Sequence, residues 1–224
     1  AGNATVAATN CNAARVLTLT GRCEVPLHLG ASVPLERPLA PPILAARISF
    51  PTEVASIATS CRSTLPAREA LVNWLRASES IPKRLISLGP LTNIALALRI
   101  DRTAFELLDA IYIMGGSISR IGGRYSPIAE TNFFLDPEAA SIVLESGLPI
   151  HLFNYDATRV ATLDNEQCEA LKTCAPPRLR VTVAAWLDEL QQFQHEHGGS
   201  DHIAIHDMWP VLSAAGTLFT SSDP

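Results

Sequence analysis

The chain contains no apolar run approaching the about 20 residues that a helical membrane span requires, which excludes that class of membrane protein. It also lacks a basic excess. Its 17 Lys and Arg stand against 22 Asp and Glu, a net charge of −5, so there is no basic stripe of the kind that nucleic-acid polymers select. Charged residues make up only 17% while hydrophobic residues reach 47%. That balance excludes a disordered chain and predicts a sizeable core, with much of the surface small, polar or hidden between subunits. The cysteines Cys11, Cys23, Cys61, Cys168 and Cys174 are irregularly spaced, with no CxxC. This argues against a disulfide framework and predicts reduced, mostly buried thiols in a reducing compartment. No secretory leader, internal repeat or low-complexity tract is visible, and the cytoplasm is the expected location.

What is present is an alternation of helical and strand-like segments. Helix is expected over residues 3–18, and a short strand over 25–30. Residues 31–66 carry six prolines and read as loop. An amphipathic helix over 67–78 sets Leu71, Trp74 and Leu75 on one face. Strands follow at 84–89, 110–116 and 149–155, and helices start at 92 and at Asp136-Pro137-Glu138. There Asp caps, Pro fits the first turn and Glu suits the positive end of the dipole. Helices over 165–172 and 179–195 precede a loop, the pair His206-Asp207 and a last helix. This order predicts a single α/β domain over 1–224: a Rossmann-like, doubly wound and mostly parallel sheet with helices on both faces. Ligands in such sheets bind outside the carboxyl ends of the strands. The candidate segments are therefore Gly2-Asn3, the loops after Leu88 and Met114, the turn around Asp156, and His206-Asp207.

Four segments carry a resemblance. They are Gly2-Asn3 with Asn12-Ala13; Leu88-Gly-Pro-Leu-Thr-Asn-Ile-Ala95; Met114-Gly-Gly116 leading to Ala129-Glu-Thr-Asn132 and Asp136-Pro-Glu-Ala-Ala140; and His206-Asp207. In order and spacing they are similar to the inosine–uridine nucleoside hydrolase family. The resemblance implies calcium-dependent hydrolysis of the N-glycosidic bond of ribonucleosides to ribose and free base. It also implies a small nucleoside as the partner molecule, with no nucleic acid, and a homodimer or homotetramer. Breaking a C1′–N bond creates an oxocarbenium-like sugar and a poor leaving group, so the ribose hydroxyls must be gripped, a water activated and the base protonated. Calcium takes carboxylate and carbonyl oxygens and leaves room for water and sugar hydroxyls.

By the same resemblance Asp207 and the Leu88 carbonyl are metal ligands, and Asn3, Met114, Glu130 and Asn132 hold ribose. His206 is the catalytic acid toward the base, with Thr92 and Asn93 holding the turn behind the site. Each has a plainer reading. An Asp before a helix is an ordinary N-cap, a His of this kind is a core residue bonded to a carbonyl, Met114 is core, and Glu130 and Asn132 are turn residues. The i, i+2 spacing of Glu130 and Asn132 sets them on one side of an extended segment. His195, His197, Asp201 and His202 fit no standard zinc spacing and read as a surface loop near the pocket mouth.

The chain departs from the family in several places. The family's Asp-rich metal motif, with its water-activating Asp, would lie upstream of Gly2, and the chain is expected to be incomplete at both ends. The stretch Ala45-Ala-Arg-Ile-Ser-Phe-Pro51 stands where a His-Gly pair is usual. Thr131 replaces an aromatic residue, and Arg124 an Asn. These departures keep a second reading open: a catalytically degenerate member that binds nucleoside or ribose, or serves in assembly.

Overall fold

The computed structural model describes residues 2, 4–41, 64–77, 81–123, 125–196 and 202–216. In chain order its elements are α1 (Val6–Thr20), α2 (Ala67–Arg76), β1 (Arg84–Ser87), α3 (Thr92–Ile100), a 3-10 turn (Arg102–Leu107), β2 (Ala110–Met114), α4 (Thr131–Leu135), α5 (Pro137–Leu144), β3 (Ile150–Phe153), α6 (Tyr155–Thr158), β4 (Thr162–Leu163), α7 (Asn165–Cys174), α8 (Arg180–Glu196), β5 (Ile203–Ala204) and α9 (Met208–Ala214).

Strands β1, β2 and β3 form a parallel sheet in that order, with Ile111 opposite both Leu85 and Ile150. All five residues of β2 are buried, as the middle strand of a sheet covered on both faces requires. Its side chains alternate between two layers. Ile111 and Ile113 join Leu75, Leu98 and Val143, from α2, α3 and α5, in the main core. Ala110 and Tyr112 face the other way and pack with Phe153 and Ala214. Helix α9 lies across that second face and touches all three strands. Arg84, which opens β1, donates from Nη1 to the Ala214 carbonyl at the end of α9 (2.6 Å). The carboxyl end of α9 therefore sits at the amino end of the sheet, and its amino end, with Asp207, points to the carboxyl ends of the strands. This is the expected α/β architecture with helices on both faces.

Four local expectations are corrected. Helix α1 starts at Val6, because the Thr5 hydroxyl accepts from Ala8 N–H and caps it there. Residues 25–30 form no strand. Pro26 has no N–H for a ladder, and only Leu27 makes an isolated bridge. The chain also forms a small antiparallel pair, β4 with β5, over a satellite core of Cys168, Leu187 and Ile203. Of the described cysteines only Cys168 is buried. Cys23 lies in the turn after α1 and Cys174 closes α7, positions that face solvent. Among the described residues no helix is long and apolar enough to cross a membrane.

Asp136 pins the layers. It is fully buried and accepts from Ala139 N–H (3.1 Å), from the Thr92 hydroxyl (2.6 Å) and from Leu35 N–H (3.0 Å). One carboxylate thus caps α5, ties it to α3 and fastens the loop before α2. Replacing Asp136 by Ala strands three donors and should cost about 2–4 kcal/mol, read as a lower urea midpoint. A loss below about 0.5 kcal/mol would mean that water replaces these bonds.

Candidate active site

Strand β2 ends in Met114 and runs into a glycine pair. A Cβ on Gly115 would run into the Phe133 ring, which would have to shift, and Gly116, with φ +76°, demands glycine. The turn aims Gly116 N–H at Glu130 Oε2 (2.9 Å). Glu130 is also the N-cap of α4, its carboxylate accepting from Asn132 N–H (2.7 Å) and Phe133 N–H (3.1 Å). Asn132 sends its Nδ2 back to the Met114 carbonyl (3.0 Å) and to Met114 Sδ (3.4 Å). The expected extended pairing of Glu130 and Asn132 is thereby corrected. Glu130 is extended, but Asn132 stands in the first turn of a helix that Glu130 itself nucleates. Both side chains still meet at the end of β2. Glu130 is buried, and desolvation pushes its carboxyl above the usual range, opposed by the N–H groups of Asn132, Phe133, Gly116 and Thr131.

The end of β3 is stitched to the same turn. Gly115 N–H donates to the Phe153 carbonyl, and Tyr155 N–H to the Gly116 carbonyl (2.8 Å). Asn154 then caps the short α6 through Ala157 N–H. Asp156 holds the loop after β2, accepting from Ser117, Ile118 and Ser119. These donors, the Ser119 hydroxyl foremost, lower its carboxyl to about 2. His206 stacks on Tyr155, with centroids 5.1 Å apart, and sets its Nδ1 2.9 Å from the Thr158 hydroxyl.

Asp207 occupies the N-cap position of α9 yet makes no side-chain cap bond. Asp101, Asp136, Asn154 and Asp164 all cap the elements they precede. Surrounding protein pushes the Asp207 carboxyl up to about 6, burial first and the negative charge of Glu130 second. The residue nevertheless remains solvent-accessible. That accessibility discounts any stability cost read from the shift.

Met114, Glu130, Asn132, His206 and Asp207 thus gather around the carboxyl ends of β2 and β3 and the start of α9. Leu88 stands apart. It is 41% exposed just past β1 and lines a cleft of about 440 Å³ with Asn10, His28 and Asn93. None of the described residues expected to hold ribose or protonate the base lines that cleft, so it is not where the polar groups converge. Asn3, Arg124, His197, Asp201 and the 45–51 stretch lie outside the described residues. His195 lies in the last turn of α8 and is exposed, as is His202. Thr92 and Asn93, expected to hold the turn behind the site, instead fasten other segments. Thr92 does so through Asp136, and Asn93 by accepting from Ala31 N–H (2.8 Å). Sequence reasoning missed Tyr155 and Thr158, for which no motif gives a signal, and assigned no bond to Asp156.

Among the described residues no three His, Cys, Asp or Glu side chains gather closely enough to hold a metal ion. Asp207 supplies a hard carboxylate not committed to a helix cap, and Leu88 a hard carbonyl oxygen. That chemistry suits calcium, which takes about six to eight oxygens in all.

The sequence model described as inosine-uridine preferring nucleoside hydrolase matches residues 1–222. The chain is 35% identical over 216 residues to the pyrimidine-specific ribonucleoside hydrolase RihA of Photobacterium profundum, covering 92% of this chain and 66% of that protein. It is 36% identical over 229 residues to the RihA of an Enterobacter species, covering 100% and 71%. The chain thus spans about two thirds of the length of these curated relatives. Among solved structures, a plant nucleoside hydrolase, the PpNRh1 enzyme, superposes with a TM-score of 0.83 at 24% identity, over 98% of this chain and 69% of that one.

Proposed function

The chain belongs to the inosine-uridine preferring nucleoside hydrolase family, and from that membership we propose that its protein hydrolyses the N-glycosidic bond of ribonucleosides with calcium bound. Water adds at C1′, the C1′–N bond breaks, and the base leaves with a proton as ribose is released. The observation that carries this reading is the uncapped Asp207, beside Glu130 and His206 at the carboxyl end of the sheet. A carboxylate held there and not committed to a helix cap is suited to a metal. Asp207 and the Leu88 carbonyl would hold calcium, with donors from elsewhere in the protein. When bound, calcium supplies a cationic anchor for water and sugar hydroxyls.

The chain's own residues do the rest. Glu130 accepts from a ribose hydroxyl, and Asn132, which can both donate and accept, holds the next. Asn3 adds a further ribose contact and Met114 a surface against the sugar. His206 protonates the departing base. The names of the curated relatives support pyrimidine ribonucleosides as first substrates. Cys168 and Cys174 as thiols support a reducing compartment, the cytoplasm, and the low charged fraction supports a homodimer or homotetramer.

Ribose release from uridine, cytidine and inosine, with calcium present and after chelation, tests the proposal. Calcium-dependent release, greatest with the pyrimidines, is expected. A folded full-length protein that binds ribose or nucleoside and releases no base would overturn it in favour of a binding protein.

A further inference from the structure

The turn that leaves β2 is built on two glycines, and glycine does not hold a direction by itself. Without a Cβ, Gly115 and Gly116 have wide φ/ψ freedom. Yet Gly116 N–H is aimed at Glu130 Oε2 (2.9 Å), so contacts beyond the glycines must fix that peptide. The Phe133 ring blocks one side of the turn but sets no hydrogen-bond direction. The Gly116 carbonyl accepts from Tyr155 N–H (2.8 Å). The next three residues are held by one carboxylate. Asp156 Oδ2 accepts from Ile118 N–H (2.8 Å), Ser119 N–H (3.3 Å) and the Ser117 hydroxyl (3.3 Å), and Oδ1 accepts from the Ser119 hydroxyl. These bonds all leave α6, whose own cap is supplied by Asn154 through Ala157 N–H (2.9 Å). Asp156 therefore serves the loop and not the helix that carries it. Arg120 follows, exposed and left-handed at φ +56°, a conformation that costs an L-residue on the order of 1 kcal/mol. Such a residue persists where its surroundings over-determine it. Here the Asp156 bonds hold one flank, and Ile121 N–H on the Ser117 hydroxyl (3.2 Å) holds the other.

We propose that Asp156 is a positioning residue of the ribose grip: by holding Ser117, Ile118 and Ser119 it fixes the Gly116 peptide, and through that N–H the carboxylate of Glu130. The proposal rests on the hydrolase reading for its consequence in turnover, and on the geometry alone for the hold on Gly116. Glu130 takes its direction from three N–H groups. Those of Asn132 and Phe133 belong to the helix that Glu130 itself caps, and move with it. Only the Gly116 bond ties the carboxylate to the sheet. Once the Asp156 bonds are gone, Arg120 can relax its strain by rotation further up the loop. The glycine pair is the softest place to absorb that rotation, so the Gly116 N–H swings and the Glu130 carboxylate loses its reference.

Two measurements on the full-length protein test this separately. In amide hydrogen exchange, Asp156→Ala should speed exchange at Gly116 by about tenfold or more and leave the β2 amides as they are. Unchanged protection at Gly116 overturns the proposal whether or not the protein is a hydrolase. In turnover, Asp156→Ala should lower kcat/KM on uridine by about 10- to 100-fold. The same change made in Glu130→Gln, which offers the sugar no carboxylate, should cost no more than about twofold, because the two residues act as one unit. Equal losses in both backgrounds would make Asp156 a staple of the loop alone and overturn the proposal. Asp156→Asn guards against a variant that fails to fold. Its carbonyl oxygen can accept from Ile118 and Ser119 N–H while its NH₂ group donates to the Ser119 hydroxyl, so it should recover most of the activity and the Gly116 protection. A folded Asp156→Asn as impaired as Ala would mean that the charge, and not the bonds, matters, and would also overturn it. Absence of all turnover in the native protein would instead count against the hydrolase reading, and exchange at Gly116 would still decide what Asp156 holds.

Discussion

Replacing Asp207 by Ala in the full-length protein should cut ribose release on the order of a thousand-fold, equivalent to about 4 kcal/mol of transition-state stabilisation, while its thermal midpoint holds or rises. The two effects separate because of where Asp207 stands. An aspartate heading a helix ordinarily contributes about 1 kcal/mol through its cap bond. Asp207 makes none, so Ala removes no hydrogen bond from α9. The carboxylate is also disfavoured where it is, its titration raised to about 6 by burial and by the charge of Glu130, so Ala removes that burden too. Asp136 gives the contrast, since it heads α5 with three bonds in place and its loss should be felt as stability. Asp207→Asn, which keeps the shape without the charge, should be nearly as inactive as Ala. A midpoint several degrees lower in Asp207→Ala, or turnover within tenfold of native, would show the residue to be a helix cap after all.

The same pair of aspartates shows what the sequence could and could not tell. Asp136-Pro137-Glu138 is a start signal read by local chemistry, and the helix begins where those residues say. The three sheet strands were legible as short apolar runs, β1 and β2 ending near glycine and β3 following Pro149; only β2 is buried throughout, as a middle parallel strand with apolar residues on both faces. Asp207 looks identical to a cap in sequence; only the absent bond and the nearby Glu130 distinguish it, and both depend on tertiary placement. Glu130 misleads in the opposite sense. Glu is not among the favoured N-caps, so Glu130-Thr131-Asn132 reads as extended. Its longer side chain nevertheless folds across three N–H groups, one of them from Gly116, 14 residues away in the chain. Lys83 is a third case. Nothing in the sequence singles it out, yet it is buried and its ammonium closes α2 through the Leu75 and Ala77 carbonyls. The contact of Thr158 with His206 was invisible because the two lie 48 residues apart, with no spacing rule connecting them.

Glu130 supports both the fold and the proposed chemistry, so its removal should register in two assays. Glu130→Ala leaves the N–H groups of Gly116, Asn132 and Phe133 without their acceptor beneath a largely buried surface. Each stranded donor costs on the order of 1 kcal/mol or more, and relief of the buried charge offsets part of that, so a net loss of about 2–3 kcal/mol is expected. Glu130→Gln keeps one acceptor oxygen but turns an NH₂ group toward an N–H, and should fall between native and Ala. Ribose release should drop on the order of a hundred-fold in both, because neither offers a carboxylate to the sugar hydroxyl. The pH dependence supplies a sign that packing alone would not. The folded carboxyl titrates above its unfolded value, so the fold binds the proton more tightly. Native stability, measured with a chelator present, should therefore decline as pH rises from the ordinary carboxylate range through the raised folded value, and level off above it. In Glu130→Ala that component of the decline should vanish. A native-minus-Ala stability difference that grew with rising pH across this interval would mean that the three N–H bonds, and not desolvation, dominate at Glu130.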